Sequence, residues 1–241
     1  MRRFLLAIMF LVLLSNVSFA SNTGWHQKKE YRNDLDSSVT IEMTYYAEEY
    51  IEQLIQEEAS KNLWTADEVE NYKYTLLKTL KLDEFIPVFV SFKNNGPAIR
   101  LAPFDDQIDL YVGSKRYKPA EYDRRFNFKI SDSRDGFVYF PRYDEETGQP
   151  ILKKGMIKVI LRDTATPVTM GKRVEFLWDI RNDNPGKALS TGKAADRLEL
   201  DRLIIRLGNL KGQRAEIQKQ LDELDTELST IQSRITELQS N

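Results

Sequence analysis

Carboxylates gather at three places: Asp105, Asp106 and Asp109, then Asp132 and Asp135, then Asp144, Glu145 and Glu146. Paired carboxylates can divide acid and base duties on a glycoside, and a denser set can hold calcium. The spacing favours neither. The stretch from Asp132 to Gly136 lacks the alternate-position oxygens of an EF-hand loop and carries Arg134 in its middle. Aspartates among Gly, Ser and Pro more often bond to their own backbone in tight turns. A body of about 100 residues also leaves little room for a catalytic cleft, so a glycoside hydrolase stands third behind two non-catalytic readings. Cysteine is absent, which excludes disulfides, thiol nucleophiles and thiolate metal sites. The single histidine, His26, lies in a polar segment and supplies no zinc or Ser-His-Asp constellation. No catalytic residue, metal or cofactor is expected, and the chain is not expected to be an enzyme.

Cations and aromatics interleave from Lys115 through Arg116, Tyr117 and Lys118 to Tyr122, Arg124, Arg125, Phe126 and Lys129. Rings stack on sugars or bases while cations meet acid groups, a combination used for single-stranded nucleic acid inside cells. In an exported protein the same surface suits an anionic glycan, with Tyr117, Tyr122, Arg124 and Arg125 as the candidate binding residues. The competing reading is a solvated strand edge whose lysines and arginines prevent sheet-to-sheet association.

These residues need elements to position them. Two-residue alternation runs through residues 83–181: Ile86, Val88, Val90 and Phe92; Ile108, Leu110 and Val112; Phe126, Phe128 and Ile130; Ile157, Val159 and Leu161; Val174, Phe176, Trp178 and Ile180. Turn residues separate these runs at intervals too short for a crossover helix, which predicts antiparallel strands. About seven candidate strands over roughly 100 residues resemble immunoglobulin-like modules, here without a cysteine pair. The expected fold class is α+β: a central antiparallel immunoglobulin-like β-sandwich, preceded by two amphipathic helices and followed by a long coiled-coil helix.

The helical pair is expected over residues 44–82. Ala47, Tyr50, Ile51, Leu54, Ile55 and Glu58 share one face of the first helix, with only the last polar. Thr65 and Glu68 form a capping box for the second, whose stripe is Val69, Tyr72, Leu76, Leu77 and Leu80. Trp64 falls in the connection as a hinge plug. Residues 21–43 form a polar N-terminal arm, in which Ser21 to Ser38 shows neither period and reads as extended or loosely ordered.

Residues 182–195, rich in Asn, Gly, Ser and Pro, read as a linker. Asp196 and Glu199 then cap a helix over 196–241. Its a positions are Leu200, Leu207, Arg214, Leu221, Leu228 and Ile235, and its d positions are Leu203, Leu210, Ile217, Leu224, Ile231 and Leu238. Eleven of these twelve are aliphatic, which predicts an oligomerisation seam on a rod of roughly 60 Å. The phase continues through Gly208 and Gly212, so one helix is expected rather than a hairpin. Flanking glutamines at 213, 218, 220 and 232 impose little partner selectivity, which fits self-association over a chosen partner coiled coil.

Residues 1–20 read as a cleaved secretory leader: Arg2 and Arg3, an apolar run from Phe4 to Leu14, then Ser18-Phe19-Ala20. The run breaks at Ser15 and Asn16, short of the roughly 20 apolar residues a membrane span needs. No transmembrane segment is expected after leader removal. Net charge is −2 over 241 residues, giving no global pull toward nucleic acid, and 41% hydrophobic content supports a sizeable core. The expected protein is an exported, periplasmic or extracellular, non-catalytic scaffold that displays a sandwich on a coiled coil. A glycan-binding module of the cell envelope is the alternative.

Overall fold

The computed structural model describes residues 24–184 and 192–240. The expected leader, residues 1–20, lies outside the described residues, as do residues 185–191 of the expected linker. The chain divides into two compact units at residue 190.

Among the described residues, the first unit holds nine strands and two helices. β1 (His26–Arg32) and β2 (Ser38–Tyr45) lead into α1 (Glu48–Asn62) and α2 (Ala66–Leu80), followed by β3 (Phe85–Asn95) and β4 (Ile108–Val112). β5 (Lys115–Tyr117), β6 (Glu121–Tyr122), β7 (Ser133–Pro141), β8 (Met156–Leu161) and β9 (Val174–Asp179) complete it. All pairings are antiparallel, in a five-stranded sheet of order β1-β2-β3-β7-β6 and a four-stranded sheet of order β5-β4-β8-β9.

Alternation decides which side of each strand is buried. Val39, Ile41 and Met43 of β2, Ile86, Val88, Val90 and Phe92 of β3, and Val138 and Phe140 of β7 are fully buried in the first sheet. In the second, Leu110, Ile157, Val159, Val174 and Phe176 are equally enclosed. Rings join the two layers: Tyr45 of β2 meets Trp178 of β9 at 6.0 Å, and the Trp178 indole donates to the Trp25 carbonyl at 2.9 Å. Phe92, Phe104 and Phe126 form a second aromatic nucleus, with centroids of Phe104 and Phe126 4.5 Å apart. Pro87 lies one residue beyond the last β2 partner of β3, where its missing N–H leaves no ladder bond unmade.

The helical pair is an insertion, not a preface. β2 pairs with β3 from Ser38↔Asn95 to Tyr45↔Val88, so both helices fill the connection between neighbouring strands of one sheet. The expected polar arm over 21–43 is likewise corrected to β1 and most of β2. β2 does alternate, but β1, with the sequence HQKKEYR, is polar on both faces and is held as an edge strand by backbone pairing. α1 starts at Glu48 because residues up to Tyr45 belong to β2.

The capping box at Thr65 and Glu68 forms, and Trp64 packs on Tyr72 at 4.9 Å. Ile51, Ile55, Leu77 and Leu80 are buried, while the Tyr139 hydroxyl donates to the Thr79 carbonyl at 2.9 Å. Ala47 offers α1 no side-chain cap. Asp183, far along the chain, accepts from the Glu48 N–H at 2.9 Å and from the Tyr45 hydroxyl at 2.6 Å instead.

The strand expected at 126–130 does not form. The Asp123 side chain accepts from the Arg125 N–H at 2.9 Å and closes a 3-10 turn over Arg124–Asn127. This buries Phe126 and leaves Phe128 exposed, while Ile130 makes an isolated bridge to Ile99.

The second unit is α3 (Lys193–Ser240), 48 residues without interruption at Gly208 or Gly212. It begins three residues before the expected Asp196, so the last residues assigned to the linker are helical.

Candidate functional site

β5, β6, the segment between them and the residues from the following 3-10 turn to Lys129 carry the interleaved cations and aromatics. Tyr117 pairs across from Leu110 and lines an open groove of about 510 Å³ with Lys115, Arg116, Lys118, Tyr143 and Asp144. A second depression of about 390 Å³, sharing Ala120, is lined by Glu121, Tyr122 and Arg124. β5 and β6 belong to different sheets, so Tyr117 and Tyr122 come from separate layers.

The four candidates have different freedom. Tyr122 donates to Asp105 at 3.2 Å, accepts from Asn127 at 3.1 Å, and lies against Phe104 at 5.4 Å. Arg125 forks onto the Asp123 carboxylate, with its closest contact at 2.6 Å, and donates to the Asp135 carbonyl at 3.0 Å. Burial pushes Asp123 up, but the hydrogen bonds from Arg125 outweigh it and hold the carboxyl below its ordinary range. A Cβ on Gly136 would lie 2.7 Å from the Asp123 Cβ, so only glycine admits this close approach. Tyr122 and Arg125 are thus engaged in holding the turn. Tyr117 and Arg124 present side chains to open depressions.

Asp106, Asp109 and Asp144 are also engaged. Lys115 donates to Asp144 at 3.2 Å; with the Thr147 backbone and hydroxyl bonds, it holds that carboxyl below its ordinary range. Lys118 reaches Asp106 at 3.0 Å and the Asp105 carbonyl at 2.7 Å. Asp109 is only 3% exposed, with Lys118 and Arg162 each 3.6 Å and Arg116 3.9 Å away. Such a buried carboxylate requires compensating cations, and two chain segments, one carrying Arg116 and Lys118 and the other Arg162, supply them. Alternation places Asp109 on the face opposite Ile108 and Leu110, which reads as solvent. Only the fold reveals the cationic cover. Among the described residues, no group of three or more His, Asp or Glu is arranged to hold a metal ion. His26 shares a 2.9 Å hydrogen bond with Thr44, and burial lowers its pKa despite the opposing charge of Glu42.

A different surface lies on α3. The eleven aliphatic seam positions, from Leu200 to Leu238, are each 49% to 63% exposed, and Ile204 and Ile205 are similarly open. Arg214 interrupts that row. Within-helix pairs include Lys219–Glu223 at 3.7 Å and Arg234–Glu237 at 2.8 Å. Among the described residues, no helix is long and apolar enough to cross a membrane.

Comparisons with protein-family models, curated proteins and solved structures find no match.

Proposed function

We propose that this is an exported, non-catalytic scaffold of the periplasm or cell surface, in which an immunoglobulin-like sandwich is displayed by a self-associating coiled coil. One observation carries the reading: a 48-residue helix keeps an a/d row of aliphatic side chains about half exposed. Burying that row requires another helix. Strand order supports the sandwich. With β1 set aside, β2-β3-β7-β6 and β5-β4-β8-β9 follow the A-B-E-D and C′-C-F-G order of immunoglobulin-like modules, with α1 and α2 inserted between A and B. Export rests on the leader pattern of residues 1–20.

Light scattering on the chain after leader removal is expected to give an oligomeric mass, and Leu210→Glu with Leu221→Glu a monomeric one. Equal monomer masses would remove the coiled-coil reading. N-terminal sequencing of exported material checks cleavage after Ala20.

A second reading, glycan binding, is favoured by the groove that Tyr117, Tyr143 and Arg116 line together. Retention on anionic polysaccharide is expected to drop with Tyr117→Ala and Tyr143→Ala. Unchanged retention removes this reading.

A further inference from the structure

Resting on the self-association just proposed, we infer that the occupant of the α3 seam is a second copy of this chain running antiparallel, with its dyad between Ala215 and Glu216. Charge pattern selects this arrangement. In a parallel, in-register pair each a position meets itself, so Arg214 faces the partner's Arg214 in the seam. Each g position then approaches the e position five residues on, which sets Arg206 against the partner's Lys211. No parallel g–e contact in the helix joins opposite charges: the remaining contacts pair charged residues or glutamines with uncharged ones.

In antiparallel pairs an a position faces a d position, and g positions flank g positions. With the dyad between Ala215 and Glu216, Leu207 lies opposite the partner's Leu224, and Leu210 opposite the partner's Leu221. The flanking g positions then bring Glu199 beside the partner's Arg234 and Arg206 beside the partner's Glu227. Symmetry doubles both, making four complementary pairs with no like-charged g–g or e–e pair. Arg234 also holds Glu237 of its own helix at 2.8 Å, and a guanidinium has donors for both.

Neighbouring registers lose this match. Shifting one heptad one way sets Arg206 against the partner's Arg234; the other way sets Glu199 against the partner's Glu227 and Lys211 against itself. The favoured register also takes the two Arg214 side chains out of a shared layer. Each lies opposite the partner's Ile217, where its stem can follow the seam and its head reach water. The two Lys193 ends are then held roughly 65 Å apart along the helix axis.

Charge reversal reads orientation by sign. On the whole chain after leader removal, Arg206→Glu is expected to weaken the dimer about tenfold, and adding Glu227→Arg to restore it. In the parallel pair, Arg206→Glu would relieve repulsion from the partner's Lys211 and tighten the dimer. Tightening, or failure of the second change to rescue, overturns the antiparallel assignment while leaving self-association standing. A monomer at all concentrations, before any substitution, overturns self-association itself. Cysteine cross-linking in this cysteine-free chain is independent of charge. Mixed Leu207→Cys and Leu224→Cys chains should form a disulfide, whereas Leu207→Cys cross-linking efficiently with itself would establish the parallel pair.

Discussion

β3 and α3 carry apolar patterns of equal regularity and opposite fate. Ile86, Val88, Val90 and Phe92 are fully enclosed, whereas Leu207, Leu210, Leu221 and Leu224 remain about half exposed. A strand with period two offers one face, and the neighbouring layer of the same unit covers it. A straight helix with an a/d seam offers a narrow stripe that a second helix covers best. Periodicity therefore states that a surface seeks a partner. Whether the partner lies in the same unit depends on what the rest of that unit provides.

The largest expected effect tests the enclosed side of this contrast. Trp178→Ala removes a 1% exposed ring that joins both sheets through Tyr45 and Trp25, and is expected to cost about 3–5 kcal/mol in denaturant unfolding. A loss below about 1 kcal/mol would mean that the two layers are not joined there. Next comes the Asp183 cap. Asp183→Ala strips hydrogen bonds from Tyr45 and Glu48 and should cost about 1–2 kcal/mol, read as a lower urea midpoint at unchanged slope.

The open side predicts a gain. A Cβ at Gly208 or Gly212 meets nothing within 4 Å, so each change to alanine should stabilise α3 by about 1 kcal/mol, read as higher helicity on warming. No gain would indicate that a partner backbone passes close to these glycines.

The smallest effect is a pH dependence. Burial lowers the pKa of His26 from its ordinary value of 6.5, so below that value the unfolded chain binds the proton more readily. Its stabilising contribution is present above pH 6.5 and is lost as pH falls through the depressed folded value. Thermal midpoints measured from pH 7.5 to 5 should fall more for the parent than for His26→Asn. Identical slopes would show that the imidazole titrates freely.

Local pattern revealed much of this molecule. The Thr65–Glu68 box, the stripes of both short helices, most strands of the body and the uninterrupted α3 follow from spacing alone. Edge strand β1 did not, because its sequence HQKKEYR is polar on both faces and its register is set by main-chain bonds to β2. Phe126, Phe128 and Ile130 alternate like a strand, yet the Asp123 cap and the pull of Phe126 toward Phe92 and Phe104 wind them into a turn. At the candidate site, the types of Tyr117, Tyr122, Arg124 and Arg125 were legible. Their availability was not, since the Asp123 fork and the Asp105 contact join groups from separate segments.

By itself the sequence determined the periods, the caps and the charge order along α3, all of which depend on neighbours within about seven residues. Tertiary structure alone decided that α1 and α2 interrupt a sheet, that Asp183 caps a helix begun 135 residues earlier, and that three cations enclose Asp109. The physical reason is reach: backbone periodicity is local, whereas burial and charge compensation depend on which distant segments packing brings together.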